Sequence, residues 1–369
     1  MMFYIEDTKD IISPSLVFFE NKVNANIQRA IEQSGDPKRL WPHVKTHKTK
    51  EIVRKLLSHG VNKFKCATIA ECEMVASCEP DSILLSYPMV GPNLDRFIKI
   101  AAAFPKVKWY ALFDDFNELS IMSEKASASG VVINVFIDVN VGLNRTGVPL
   151  EKVIDFVKAA VDLKAISICG LHCYDGQNGI SDFAKRHQAI ADLVIKEKAL
   201  REGVEAILGH DVMVIAGGTP EFPCYKELSD FYCSPGTLFL QDHGYQSLFP
   251  DMKYEPAAAV LTRCISHPCD GYFTLDCGYK GIAADPKGIR GVIVGLEDKV
   301  EDLFQNEEHW VFKMKPGFEK DRPQVGDVLY VIPTHICPTS ALYPQALVVN
   351  DGKVTAIWEI FARNRKISF

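Results

Sequence analysis

Trp41-Pro42-His43-Val44-Lys45-Thr46-His47-Lys48 begins with a bulky apolar residue, ends on basic ones, and leads into a helix-type segment. An apolar strand giving way to a helix is the opening unit of a parallel α/β barrel. A polar residue late in such a strand stands where these barrels carry their reactive groups. Read as an extended strand over Trp41–Thr46, the stretch alternates faces, so His43, Lys45 and His47 project to one side while Val44 and Thr46 pack on the other. Taken as a bare cluster, Lys45, Lys48 and Lys50 would equally suit a solvated basic surface. The strand-end position favours chemistry, because an amine crowded by cations or withdrawn from water is a competent nucleophile toward an aldehyde.

Outward from this stretch, short β-rich runs alternate with helical ones. Strands are predicted near Trp41–Thr46, Lys63–Thr68, Ser82–Pro88, Val107–Asp114, Val131–Val139, Ala165–Tyr174, Asp211–Gly218 and Asp230–Ser234. Helix starts are marked between them by the capping-box pattern Thr68-Ile-Ala-Glu71, by Gly91-Pro92-Asn93 and by the acids Asp114-Asp115. Eight strand–helix units describe a (β/α)8 TIM-type barrel over residues 1–240, with an N-terminal strand near Leu16–Glu20 that leads into it or pairs with the C-terminal part of the chain. Residues 241–369 change texture. Runs at Ala257–Ser266, Tyr272–Asp276, Gly291–Leu296, Trp310–Met314, Asp327–Ile332 and Gln345–Val349, then the turn Asn350-Asp351-Gly352 before Val354–Phe361, predict a second, mainly β domain.

The bulk properties narrow the function. A chain of 369 residues with a formal charge of -6 has room for two cores and shows no clustered basic face for nucleic acid. Acids at Glu6 and Asp7 stand where a signal peptide needs a basic start and a long apolar core, and no apolar run reaches membrane-spanning length. Eleven cysteines with no Cys-x-x-Cys pair suggest neither a disulfide framework nor a zinc knuckle. The expectation is a cytoplasmic, reduced protein with no membrane partner.

The turns after the seventh and eighth strands, Ala216-Gly217-Gly218-Thr219-Pro220 and Ser234-Pro235-Gly236-Thr237, are rich in glycine and hydroxyl groups. Such turns expose backbone N–H groups that close on a phosphate. A phosphate cradle and an aldehyde-binding lysine at one barrel mouth together specify pyridoxal 5'-phosphate. Arg145 after the fifth strand and Tyr174 after the sixth suit its ring, Arg145 at the phenolic oxygen; His172 and Gln177 are neighbours. In Pro333-Thr334-His335-Ile336-Cys337, an extended segment puts His335 and Cys337 on one face, a pair able to grip one borderline metal while leaving positions open.

With these residues in view, the chain resembles the D-threonine aldolase and D-serine dehydratase family, which shares the alanine-racemase type of fold. Pro42-His43-Val44-Lys45-Thr46-His47-Lys48 is similar to that family's proline-His-x-Lys-Thr-His-Lys signature, which makes Lys45 the cofactor lysine. Asn140-Val-Gly-Leu-Asn-Arg145-Thr-Gly147 resembles its glycine–arginine loop, while Gly217-Gly218-Thr219 and Gly236-Thr237 resemble its phosphate loops. In this family, dehydratases tend to hold zinc with His-x-Cys and D-threonine aldolases to have His-x-Asp, so His335-x-Cys337 points to the dehydratase branch.

The resemblance implies a lyase of D-amino acids bearing a 3-hydroxyl, dependent on pyridoxal 5'-phosphate and a divalent metal, zinc ahead of manganese or magnesium. Lys45, His43 and His172 are the catalytic candidates, with retro-aldol cleavage, racemisation and non-catalytic cofactor binding as alternatives. It also implies a homodimer in which the β-domain of one subunit closes the barrel mouth of the other.

Overall fold

The computed structural model describes residues 3–365 and 368. The chain divides into two compact units: Ala30–Lys45 with Lys50–Gly236 and Asn364–Phe369, and Met1–Arg29 with Thr46–Thr49 and Thr237–Arg363.

In the first unit, strands Lys63–Cys66, Ser82–Leu85, Lys108–Phe113, Ile133–Asn140, Ile166–Cys173, Met213–Ala216 and Tyr232–Cys233 pair in parallel in chain order. A short strand, Val148–Pro149, pairs beside Ile133–Asn140. Leu40 bridges Cys233 and His43 bridges Lys65, so the Leu40–His43 segment closes the ring of an alanine-racemase-like barrel. The strand expected over Trp41–Thr46 is therefore reduced to two single bridges, and Val44–His47 is a turn. Helices between the strands begin where the capping residues sit. Thr68 Oγ1 accepts the Glu71 N–H at 3.1 Å while the Glu71 carboxylate accepts the Ala67 N–H at 2.6 Å. Asp115 likewise caps Phe116–Ala128 through the Glu118 N–H at 3.0 Å. Each bond satisfies a backbone donor that the first helical turn leaves open.

Trp41 anchors this unit's interior. Its fully buried indole donates to the Phe64 carbonyl at 2.7 Å and meets Tyr110, Phe136 and Tyr232 edge-on, with centroids 5.5, 5.7 and 5.7 Å away. Leu84, Leu112 and Ile215 complete the cluster. Gly170 is needed where it stands, since a Cβ there would lie 2.2 Å from Phe136 Cε1.

The second unit is built on a nine-stranded sheet. Ser15–Phe19 pairs antiparallel with Ala258–Ser266 and parallel with Gln345–Asn350, so Met1–Arg29 belongs with the β-rich unit rather than with the barrel. Long-range pairing of a short apolar strand decides this. The turn at Asp351-Gly352 is as its residues predict, both with positive φ (46° and 78°) between Asn350 and its partner Lys353. Val300–Gln305 is an edge strand that the sequence pattern does not predict. No helix among the described residues is long and apolar enough to cross a membrane.

Candidate active site

Lys45 is exposed in the turn that follows the closing segment. The turn changes the expected geometry, because the imidazoles do not flank the amine on one strand face. His43 is buried, and its Nδ1 accepts the Lys45 backbone N–H at 3.3 Å, fixing the turn. His47 belongs to the β-rich unit, where its Nδ1 accepts the Thr49 N–H at 3.2 Å. Burial, reinforced by the Lys48 charge, pushes the His47 pKa down to about 3, so the ring is neutral.

The cradle joins two turns. Gly236 N–H donates to Thr219 Oγ1 at 3.2 Å, tying the turn after the eighth strand to the one after the seventh. Gly217 has φ 69°, and a Cβ on Gly236 would sit 2.8 Å from the His43 carbonyl oxygen. Side chains here would fill the space that backbone N–H groups need. Gly218 N–H donates to Glu221 Oε2 at 2.9 Å. Burial, then the Asp175 charge, raises the Glu221 pKa well above the usual carboxylate range. Thr237, expected at the phosphate, belongs to the β-rich unit, and its Oγ1 lies 3.5 Å from Cys337 Sγ.

Near Lys45 runs a chain of bonds that includes Asp138 and Lys65, two residues no sequence motif singles out. His172 Nδ1–H donates to Asp138 Oδ1 at 2.7 Å, and Thr146 Oγ1 donates to the other Asp138 oxygen at 2.8 Å. His172 Nε2 faces Lys65 Nζ at 3.3 Å, and Lys65 also bonds the Ser234 hydroxyl. Burial opposes charge on Asp138, but the His172 and Thr146 bonds with the Arg145 charge hold its pKa below the usual range. Burial and then the Lys65 charge depress His172. Burial and then the Lys45 charge bring Lys65 down to about 7. The Arg145 guanidinium lies 4.8 Å from the Tyr174 ring centroid, with Lys65 Nζ 5.8 Å from the same ring. The donor set fits pyridoxal 5'-phosphate: an accessible amine, a glycine cradle and a guanidinium beside an aromatic ring.

In the β-rich unit, His335 caps the helix Ile336–Leu342 and Cys337 lies in its first turn, so the pair is not on an extended segment. The two still meet. Burial acts to lower the His335 pKa, but hydrogen bonds to Cys337 and Asp285 outweigh it and raise the value to about 9. His335 Nδ1 bonds Asp285 Oδ2 at 2.5 Å, the orientation that turns Nε2 toward a metal. Cys337 Sγ is 3.1 Å from the hydroxyl of Thr46. Among the described residues no group of three or more His, Cys, Asp or Glu side chains forms a metal cluster.

The family model for the alanine racemase N-terminal domain matches residues 20–208, and that for a putative serine dehydratase domain matches residues 257–349. A D-threonine aldolase from Arthrobacter sp is 28% identical over 95% of this chain and 92% of its own length. A D-serine dehydratase from Saccharomyces cerevisiae is 22% identical over 96% and 97%. The crystal structure of D-threonine aldolase from Filomicrobium marinum superposes with a TM-score of 0.84 at 22% identity, covering 97% of each chain.

Proposed function

Because the chain belongs to the family of the alanine racemase N-terminal domain, we propose that it is a pyridoxal-phosphate-dependent lyase of D-3-hydroxy amino acids, converting substrates such as D-serine to a keto acid and ammonia, the water lost in the elimination being regained when the resulting imine hydrolyses. The relatives support a lyase of D-hydroxy amino acids, and the thiol of Cys337 beside His335 favours elimination over aldol cleavage. When bound, the cofactor supplies an electron sink at the substrate α-carbon.

Lys45 Nζ is the amine that would hold the cofactor aldehyde and would accept the substrate α-proton. The turns at Gly217–Thr219 and Gly236 would form the phosphate cradle, with Thr219 Oγ1 tying them together by accepting the Gly236 N–H. Arg145 would bind the phenolic oxygen, its guanidinium held by the Tyr174 ring. His43 keeps Lys45 at the mouth by fixing its backbone. His172, held by Asp138, keeps one proton on Nδ1 and presents Nε2 as an acceptor. His335 Nε2 and Cys337 Sγ would hold a divalent metal, zinc by the softness of the thiolate, which supplies Lewis acidity toward the 3-hydroxyl.

Retro-aldol cleavage is the second reading, favoured by the 28% identity to an aldolase. Incubating the protein with D-serine and D-threonine and identifying the products decides between them. Pyruvate with ammonia supports elimination, whereas glycine with acetaldehyde overturns it.

A further inference from the structure

We propose that Lys65 hydrogen-bonds the ring nitrogen of the cofactor, an assignment that rests on the pyridoxal-phosphate reading above. Its strand pairs directly with the segment that ends in Lys45: Lys65 N–H donates to the Pro42 carbonyl at 2.9 Å, and Val44 N–H donates to the Lys65 carbonyl at 3.0 Å. The side chain is buried, and its amine bonds His172 Nε2 at 3.3 Å and the Ser234 hydroxyl. An ammonium carries three donors, and these two bonds leave one. Ser234 stands two residues before Gly236, so Lys65 lies under the cradle that takes the phosphate.

The cofactor has four polar points to place. The aldehyde belongs to Lys45, the phosphate to the glycine turns and the phenolic oxygen to Arg145. The ring nitrogen lies across the ring from the aldehyde, and Lys65 is a buried donor that those three roles leave unused. The charged and titratable groups facing its amine are Lys45, Arg145, Asp138, Asp175 and His172. With a pKa brought to about 7 by burial and by the Lys45 charge, the amine is partly ammonium at neutral pH, and it is that form that keeps a donor beyond the two bonds it makes. A donor there keeps the ring nitrogen an acceptor, hence unprotonated, the reverse of what a carboxylate partner does.

The test compares binding of pyridoxal 5'-phosphate with that of its 1-deaza analogue, in which CH replaces the ring nitrogen, using the full-length chain stripped of cofactor. The wild type is expected to prefer the natural cofactor by about tenfold, the worth of one hydrogen bond to a charged group. Lys65→Met should bind the two within about twofold, and Lys65→Arg should restore the preference. An unchanged preference in a folded Lys65→Met protein overturns the assignment. If that variant fails to fold, ring-15N-labelled cofactor in the wild type decides, because a pyridinium shift overturns the proposal and an unprotonated, hydrogen-bonded shift supports it. Failure of the wild type to bind either compound instead removes the pyridoxal-phosphate reading itself.

Discussion

Asp138 holds the Nδ1–H of His172 at 2.7 Å, with both side chains about 5% exposed. The bond fixes one tautomer, leaving Nε2 to accept from Lys65. Asp138→Asn offers an amide that can donate instead and so reverse the imidazole. Catalytic efficiency is expected to fall by about 100-fold or more, while cofactor content stays near wild type. Steady-state kinetics with D-serine, alongside the visible spectrum, measure both.

Gly236 faces the carbonyl oxygen of His43 so closely that Gly236→Ala must move one of two backbones. The variant is expected to bind pyridoxal 5'-phosphate roughly tenfold more weakly, with unchanged secondary structure. Fluorescence titration of the cofactor-free protein reads the loss, and wild-type affinity would show that this turn is not the cradle.

Asp285 has no direct grip on a metal in this arrangement, but it orients His335. Asp285→Asn is expected to weaken metal binding by roughly 10–100-fold. Chelation should abolish turnover and leave the visible absorption of the cofactor intact. A chelated protein with full activity would remove the metal from the reaction.

Acid should weaken the fold through His47. Its folded pKa, about 3, lies below the ordinary 6.5, so between those values the unfolded chain takes a proton that the folded one refuses. The associated stability is complete above about pH 6.5 and is lost as pH falls, at up to about 1.4 kcal/mol per pH unit. His47→Asn, whose Oδ1 replaces Nδ1 as acceptor for the Thr49 N–H, should flatten that slope in urea titrations at pH 4 to 7 (roughly, the window set by the shift).

Gly170→Ala tests the packing that shapes the barrel. The new methyl would overlap the Phe136 ring, so a loss of about 1–3 kcal/mol is expected in denaturant unfolding.

The barrel strands are legible because parallel strands buried on both sides read as apolar runs between helix caps such as Thr68 and Asp115. Lys65 is hidden by the same rule applied too simply. Lys-Phe-Lys-Cys reads as a strand with lysines facing water, yet a barrel strand has two inner surfaces, one under the helices and one toward the lumen, and Lys65 is buried. Asp138 leaves a clearer trace, an acid near the end of the otherwise apolar Ile133–Asn140. Val300–Gln305 escapes notice because its acids suit an edge, where one flank meets solvent. The closing turn after His43 depends on a bond from the Lys45 backbone to an imidazole, which strand periodicity does not encode.

The ring of staves is fastened at Leu40 and His43 by single rungs, directly ahead of Lys45. A hoop gives way first at its lightest joint, so breathing concentrates there and spares the long ladder between Ile133–Asn140 and Ile166–Cys173. The amides of Trp41, His43 and Val44 should accordingly trade hydrogen for deuterium sooner than those of the central staves, and a flat aromatic guest can be loaded without dismantling the cask.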